Sequence, residues 1–173
     1  MVAQKIGEAA ALAPEAIDAY NTMGGEFFSW SEELTGEVVW QSEKYVSTTT
    51  ANDYYFGGAH PNFLLTSACF SLSDGQLMAL SDFFTIPEDE AIDLLIGLIY
   101  EQTSTIMDET GSYLLYDCSE EMIRSAFLPE HYYLNDEGLV LYFQPYDIAP
   151  YAVGLPQFLI PFTRLESVLR DLE

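Results

Sequence analysis

The order of its hydrophobic patterns is the feature that most constrains the fold of this chain. Residues 38–72 contain short runs rich in β-branched and aromatic residues, a helical pattern follows over residues 87–111, and residues 132–162 return to strand-like runs. Strands interrupted by one helical insert are typical of α+β proteins. We therefore predict an α+β fold with a mainly antiparallel sheet, and with a long helix and one or two shorter helices packed on one face.

The long helix has the clearest sequence signals. Pro87 suits the first turn of a helix, and the three carboxylates of Glu88–Glu90 suit the positive end of the helix dipole. Apolar residues then share one helical face up to a predicted end near Gly111, namely Ile92, Leu95, Ile96, Ile99, Ile106 and Met107. Shorter helices are predicted over Pro14–Met23, over Glu120–Phe127 with Ser119 as its N-cap, and over Leu165–Leu172.

The strand predictions follow from β-branched and aromatic runs between turn-forming residues. The continuous apolar run Phe63–Leu72 predicts a strand that is buried on both faces. Turns are predicted at Gly36, at Asn52-Asp53, at Asp74-Gly75 and over residues 135–138. The other predicted strands are Val38–Trp40, Lys44–Thr50, Tyr54–Phe56, Tyr132–Leu134, Leu139–Phe143 and Gln157–Phe162.

The charge of the chain restricts its partners. Its 173 residues include 28 Asp and Glu but only five Lys and Arg, which gives a net charge of −23. A nucleic-acid partner is excluded, because phosphate contacts require a surface of Lys and Arg. The electric field of this negative charge attracts cationic proteins or metal ions, although a role in solubility alone explains the charge equally well. No apolar stretch reaches the roughly 18 residues that a membrane span requires, so no span is expected.

Motifs for catalysis, cofactors or metal ions are absent from the sequence. It lacks the nucleophile elbow of hydrolases, the phosphate-binding and dinucleotide-binding glycine loops, the calcium-binding loop and zinc-type spacing. We therefore predict no catalytic residue, no cofactor and no metal site. Histidine, the usual acid–base group near neutral pH, occurs only at His60 and His131.

Two observations leave alternatives open. Glu26 and Glu32 flank Trp30 and could form a sugar-binding or active cleft, so a carbohydrate-active enzyme with paired carboxylates remains an alternative. The spacing of Cys69 and Cys118 does not decide whether they form a disulfide, but the apolar surroundings of Cys69 predict a buried thiol.

A family resemblance rests on four segments. The string Asp53–Asn62 contains Gly-Gly-Ala-His, and it resembles the signature between two small domains found in the extracellular parts of the anti-sigma-V factor RsiV and the peptidoglycan deacetylase PdaC. Three segments resemble the C-terminal domain of that pair, namely Leu77–Phe84, Tyr132–Phe143 and Gln144–Gly154. The resemblance implies a domain over residues 61–173, and a shortened form of its partner domain over residues 1–60. The two are expected to form one compact unit.

The resemblance also implies a location and a function. Domains of this kind lie outside the bacterial cytoplasm, so we expect an extracellular or cell-envelope protein whose signal or anchor segment lies outside these residues. The deacetylase catalytic domain has no counterpart here, and in the anti-sigma factors the extracellular region binds lysozyme. We therefore expect a non-catalytic binding or sensing module for a cell-wall glycan or for a cationic protein such as lysozyme. A structural spacer is a further alternative. The predicted binding residues are Tyr54, Tyr55, Gly57, Gly58, His60, Asn62, Tyr146, Asp147 and Tyr151.

Overall fold

A computed structural model describes residues 2–23, 30–103, 106, 114–117 and 119–173. The first part of the chain forms helix α1 (Val2–Met23) and strands β1 (Ser31–Gln41), β2 (Tyr45–Tyr55) and β3 (Asn62–Ser71). Helices α2 (Glu88–Thr103) and α3 (Glu120–Ala126) follow. The C-terminal part contains β4 (Tyr132–Leu134), β5 (Gly138–Tyr142), β6 (Gln157–Pro161) and the short helix α4 (Phe162–Leu165). This arrangement confirms the predicted α+β fold.

The described strands form two antiparallel sheets of three strands each. The first sheet has the order β1-β2-β3, and the second has the order β4-β5-β6. β4 lies against all three strands of the first sheet. Because β2 and β3 pair with each other, the first sheet joins chain segments on both sides of the predicted domain boundary at residue 60.

The main hydrophobic core lies around α2 and the second sheet. Every residue of β5 is buried, and α2 lies against α3 and β6. The largest buried side chains of this core include Phe83, Phe84, Leu95, Ile96, Ile99, Ile123, Leu134, Leu139, Leu141, Phe143 and Phe158. Sheet residues alternate between two faces, so a strand with no exposed position must be covered on both sides.

Local sequence signals correctly located several elements. α2 begins at Glu88 with three acidic residues in its first turn, and the Ser119 side chain accepts a hydrogen bond from the Met122 backbone N–H, as expected of an N-cap. Asn135 Oδ1 accepts hydrogen bonds from the backbone N–H groups of Glu137 and Gly138, which closes the predicted hairpin turn. The predicted end of the α2 helix near Gly111 is wrong, because α2 ends at Thr103 and Ile106, which was predicted to lie on its apolar face, is not helical. Met107 and Gly111 themselves lie outside the described residues, as do Glu26 and Cys118.

Three predicted features near the N-terminal half are wrong. The first helix was predicted to begin at Pro14, but α1 begins at Val2 and contains Pro14 in its interior. The alanine-rich sequence before the proline strongly favours a helix. Asn52-Asp53 does not form a turn but continues β2, where Asn52 donates from Nδ2 to Glu32 Oε1 at 3.0 Å. Gly36 likewise lies within β1 and pairs with Thr50.

Two further predictions fail because of long-range packing. β3 is not buried on both faces, because Leu64 and Thr66, which share one face of the strand, are exposed, and Leu64 is 40% exposed. The predicted helix Leu165–Leu172 is also wrong, because α4 ends at Leu165 and Leu169 forms a β-bridge with Phe84. The Arg170 N–H also donates to the Phe83 carbonyl at 2.8 Å, so the backbone bonds of this segment go to residues 83–84.

Polar side chains connect the two sheets where they meet. Ser47 is fully buried, and its Oγ accepts a hydrogen bond from the Leu134 N–H at 3.0 Å. The Ser67 hydroxyl contacts the Tyr142 hydroxyl at 3.0 Å and the Tyr132 carbonyl.

Cys69 is a buried free thiol, and burial raises its pKa to about 11. Burial also raises the pKa of Tyr132.

We predict that Gly138→Ala severely destabilises the fold. A Cβ at this position would lie 2.1 Å from the Ile160 carbonyl oxygen, so β5 and β6 would have to separate. The free energy of unfolding should fall by more than about 3 kcal/mol in urea titrations. Gly97→Ala is the control, because a Cβ there meets nothing within 4 Å and alanine favours a helix by about 0.5–1 kcal/mol. Similar losses in both variants would contradict this account.

We also predict a loss of stability at alkaline pH that depends on Cys69. Its pKa is raised in the folded state, from 9.0 to about 11, so the thiol ionises first in the unfolded chain. The stabilising contribution is complete below pH 9 and is lost as the pH rises towards 11. Urea titrations at pH 7 and pH 10.5 should show a loss that is smaller in Cys69→Ser by up to about 2 kcal/mol. An identical loss in both proteins would contradict burial of the thiol.

Candidate binding surface

The candidate surface forms at one end of the first sheet. β1 begins at Ser31, β2 ends at Tyr55 and β3 begins at Asn62, and the pairing of the strands places all three at the same end of the sheet. The residues just outside these strand ends therefore lie close together. The Phe56 ring lies between Trp30 and Tyr54, with centroid distances of 5.5 and 5.4 Å. The end of the sheet therefore carries a row of three aromatic rings.

The loop between β2 and β3 depends on its two glycines. Gly57 and Gly58 have φ angles of +94° and +114°, which residues with side chains rarely adopt. The Tyr55 hydroxyl donates to the Gly58 carbonyl at 3.0 Å and closes the loop. The loop conformation places His60 beside a segment that follows β5.

His60, Tyr146 and Tyr151 form a compact cluster. The His60 ring stacks on the Tyr151 ring at a centroid distance of 3.9 Å, and His60 Nε2 lies 3.1 Å from the Tyr146 hydroxyl. The two tyrosine rings are 5.8 Å apart. We define these three residues as the aromatic cluster.

The Pro61 carbonyl oxygen is the central acceptor of this cluster. It lies 2.7 Å from His60 Nδ1 and 2.5 Å from the Tyr151 hydroxyl, which donates to it. Because a carbonyl oxygen only accepts, Nδ1 must carry a proton. In the neutral ring, Nε2 then accepts from the Tyr146 hydroxyl. The histidine thus links two chain segments that are 86 residues apart in sequence.

Tyr146 has an unusual backbone conformation. Its φ angle is 74°, and among the described residues it is the only non-glycine with a positive φ. Such a conformation costs about 1–3 kcal/mol for a residue with a side chain. The strained backbone presents the Tyr146 ring at the surface, where it is 52% exposed while its hydroxyl reaches His60.

Gln144 and Asp147 position the segment that carries the two tyrosines. The Gln144 side-chain amide makes two hydrogen bonds with the Leu65 backbone, at 3.1 and 2.5 Å, and so pairs with the edge of β3 as a strand would. Asp147 Oδ2 accepts from the Gln144 N–H at 2.7 Å. Buried Ile148 and Ala149 anchor the segment in the core.

The surface around the cluster is acidic. Segments 30–36, 53–63 and 144–154, which supply it, contain Glu32, Glu33, Asp53 and Asp147 but no Lys or Arg. Elsewhere, Lys44, Arg124 and Arg164 form ion pairs with acidic side chains, which are Asp171, Asp93, Glu120 and Glu101. These three cations are therefore engaged with acids of their own chain.

The structure brings most of the predicted binding residues to this end of the molecule. His60, Tyr146 and Tyr151 contact one another, whereas Tyr54 lies in the adjacent aromatic row, and Tyr55, Gly57 and Gly58 shape the loop. Asn62 pairs with Tyr54 at the start of β3, and Asp147 stabilises a turn. The roles of Gln144 and of the Pro61 carbonyl could not be predicted from the sequence, because they depend on contacts with distant segments.

Three further observations concern metal sites, carboxyl groups and membrane spans in the described part of the chain. Among those residues, no group of three His, Cys, Asp or Glu side chains is arranged to hold a metal ion. The pKa values of Asp74 and Asp171 are both lowered, chiefly by side-chain hydrogen bonds with Ser71 and Lys44. Within the same residues, no helix is both long and apolar enough to cross a membrane.

We predict that His60→Ala loosens the two linked segments. Loss of the stack and of two polar contacts should lower the free energy of unfolding by about 1 kcal/mol. Hydrogen–deuterium exchange should accelerate about fivefold or more at residues 57–62 and 146–151 but not in α2. Asn62→Ala is the same-loop control and should change exchange little. Unchanged exchange in His60→Ala would contradict the linking role.

Comparisons with known proteins agree with this fold. The family model described as "Protein of unknown function (DUF3298)" matches residues 81–163. This matched segment contains Tyr146 and Tyr151, whereas His60 lies before it. A search of curated proteins found no match.

Two crystal structures of DUF3298 family proteins are similar to this chain. The protein from Bacteroides fragilis has a TM-score of 0.65 at 23% identity, covering 94% of this chain and 64% of its own. The protein from Pseudomonas aeruginosa has a TM-score of 0.60 at 19% identity, covering 82% of this chain and 63% of its own. The present chain thus spans less than two thirds of either protein. Residues 81–163 match the DUF3298 family, and the chain has a fold similar to that of these two family members.

Proposed function

We propose that this chain is a non-catalytic extracytoplasmic binding module that recognises a cationic protein of the lysozyme class through the aromatic cluster. One observation carries the proposal. His60, Tyr146 and Tyr151 contact one another at the surface, and the three segments that form this surface, residues 30–36, 53–63 and 144–154, contain no Lys or Arg. The resemblance of these segments to the extracellular domains of RsiV and PdaC supports both the ligand and the location.

The charges of the molecule suit such a partner. With a net charge of −23, the protein attracts a basic protein over long range, and this attraction weakens as salt is added. Exposed tyrosines then supply contact area at low entropic cost, since they combine an apolar ring with a polar tip. Charge accelerates the encounter, and the aromatic cluster would provide specificity.

A cell-wall glycan is the second candidate ligand. The exposed face of Tyr146, stabilised by Tyr151 behind it, offers a flat aromatic surface on which a sugar ring can pack. Glycan binding would depend on the same tyrosines. Glycan binding would also depend little on salt, because the net charge of the protein does not attract a neutral sugar over long range.

The remaining alternatives have weaker support. A carbohydrate-active enzyme would use the carboxyl pair Glu26 and Glu32 that flanks Trp30, but Glu26 lies outside the described residues. A structural spacer needs neither an exposed aromatic cluster nor a concave groove, yet the described residues contain both.

The decisive experiment is calorimetric titration with hen lysozyme at low and at moderate salt. We expect saturable binding that persists at moderate salt and that Tyr146→Ala weakens about tenfold or more, as expected of an aromatic contact residue. Tyr100→Ala is the matched control, because Tyr100 is 46% exposed, compared with 52% for Tyr146, but belongs to α2. This control should bind as the wild type does.

An unrelated protein of similar basicity distinguishes recognition from simple attraction. If it binds as lysozyme does, and both interactions vanish with salt, the proposal is wrong and the charge serves solubility. If peptidoglycan fragments bind in its place, with the same loss in Tyr146→Ala and no effect of salt, the ligand is a glycan.

A further inference from the structure

Strand β1 forms an exposed edge of the first sheet. It is the outer strand in the order β1-β2-β3, and every residue from position 33 to position 38 is exposed. An edge strand leaves a row of backbone N–H and C=O groups unpaired, so it can accept a further strand from another chain. We call residues 33–38 the β1 edge.

Hydrogen bonds on the opposite side of the sheet show which way the backbone of β1 faces. On β3, both backbone groups of Leu65 bond to the Gln144 amide, so they face away from β2. Leu65 is paired with Ala51 of β2, which therefore directs its own backbone groups to the other neighbour, β1. Ala51 is paired there with Thr35, so the backbone groups of Thr35 face β2.

The backbone groups of Leu34, Gly36 and Val38 therefore point away from the sheet, because the direction alternates along an antiparallel strand. Within the described residues, no hydrogen bond reaches these outward N–H and C=O groups. The β1 edge thus offers three donors and three acceptors in one row.

Gly36 is not required by the conformation of β1. Its φ angle is not positive, and it pairs in regular register with Thr50, outside the β-bulge between Val38 and Trp40. A Cβ at this position would make only ordinary contacts, the nearest at 3.8 Å from Thr50 Oγ1. A glycine within a strand lowers stability, and it often marks a place where a ligand or another backbone approaches closely. This glycine therefore favours the close approach of a partner.

One face of the β1 edge is apolar with a gap at its centre. Leu34, Gly36 and Val38 share this face, since side chains alternate along a strand. Leu34 is 39% exposed and Val38 is 63% exposed, and Gly36 leaves the space between them unfilled. A large apolar side chain from a neighbouring strand would fit opposite Gly36 and contact both residues.

The other face of the β1 edge is acidic. It carries Glu33 and Glu37, and Glu33 is directly opposite Asp53 of β2. Like charges in opposite positions are destabilising, and neither β1 nor β2 contains a Lys or Arg to compensate. A basic side chain from a partner would relieve this repulsion.

We propose that the β1 edge binds an extended segment of another protein as an antiparallel fourth strand, in which large apolar residues alternate with Lys or Arg. The apolar residue opposite Gly36 packs between Leu34 and Val38. The basic residues lie beside Glu33 and Glu37 on the other face. Backbone pairing provides affinity, and the alternation of side chains selects the partner.

Charge favours a basic partner over a second copy of this chain. A second copy would bring the same glutamates to the new interface, and each copy has a net charge of −23. Repulsion between facing carboxylates and between the whole molecules opposes such a dimer.

This site is separate from the aromatic cluster. Gly36 is five residues beyond Ser31, where the cluster end of the sheet begins, and five residues of a strand span about 17 Å. Loss of binding at either site should therefore leave the other intact. The inference does not depend on the proposed recognition of a lysozyme-like protein.

The test uses a blocked seven-residue peptide with lysine at positions 1, 3, 5 and 7, valine at positions 2 and 6, and phenylalanine at position 4. Calorimetric titration into the full chain should show saturable binding, and the amide signals of Gly36 and Val38 should shift in NMR spectra. Serine in place of phenylalanine should weaken binding about tenfold. Glutamate in place of the lysines should abolish binding.

Gly36→Val separates binding from folding. Valine favours a strand, so urea titrations should show equal or greater stability, whereas the filled gap should weaken peptide binding about tenfold. Thr35→Val is the matched control, because it adds no bulk and lies on the opposite face, and it should bind as the wild type does. Glu37→Gln should weaken binding about threefold, as expected of an exposed charge. Tyr146→Ala should have no effect.

Methylation of single peptide nitrogens tests the backbone pairing without altering the protein. With phenylalanine opposite Gly36, its N–H faces β1, whereas the N–H of the lysine at position 3 faces away. Methylation at phenylalanine should weaken binding about fivefold to tenfold, and methylation at this lysine should change it little.

Four results would overturn the proposal. The peptide may fail to bind, Gly36→Val may bind it as the wild type does, or the two methylated peptides may bind equally well. The fourth is a dimer of the protein alone, seen in sedimentation and dissociated by Gly36→Val, because a second copy would then occupy the β1 edge.

Discussion

Strand β5 has no exposed residue, and the arrangement of the other layers follows from this burial. A strand directs alternate side chains to opposite faces, so β5 needs a covering layer on each side. α2 lies against the second sheet at β6, and the first sheet lies against it at β4. The absence of a side chain at Gly138 lets β6 approach closely enough for this central strand to pair on both edges. Layers placed in this way leave the edge of β3 beside the segment that follows β5.

That proximity explains how the candidate surface forms. The chain leaves β5 and immediately places Gln144 on the edge of β3 at Leu65. Ile148 and Ala149 then enter the core, which holds Tyr146 and Tyr151 next to His60. An unpaired strand edge is a site for pairing with other chains, and here side-chain and loop contacts cover most of it.

The family match and the aromatic cluster divide the chain in different ways. The DUF3298 model covers residues 81–163 and therefore includes Tyr146 and Tyr151, but His60 and the β2–β3 loop lie before it. The cluster thus joins a segment inside the matched region to one outside it. A protein with only residues 81–163 would lack the histidine stack and the Pro61 carbonyl that organise the two tyrosines.

The sequence by itself determined those features whose interactions are local. The start of α2 at Glu88, the Ser119 cap and the Asn135 turn each depend on contacts within four residues, and all three were predicted. Tertiary structure decided the rest. Pairing with Phe84 kept Leu169 out of a helix, and the packing of the layers left one face of β3 exposed at Leu64. The sequence suggested both binding segments, but their meeting through His60 and Tyr146 spans 86 residues, because only packing of the two sheets brings such distant groups together.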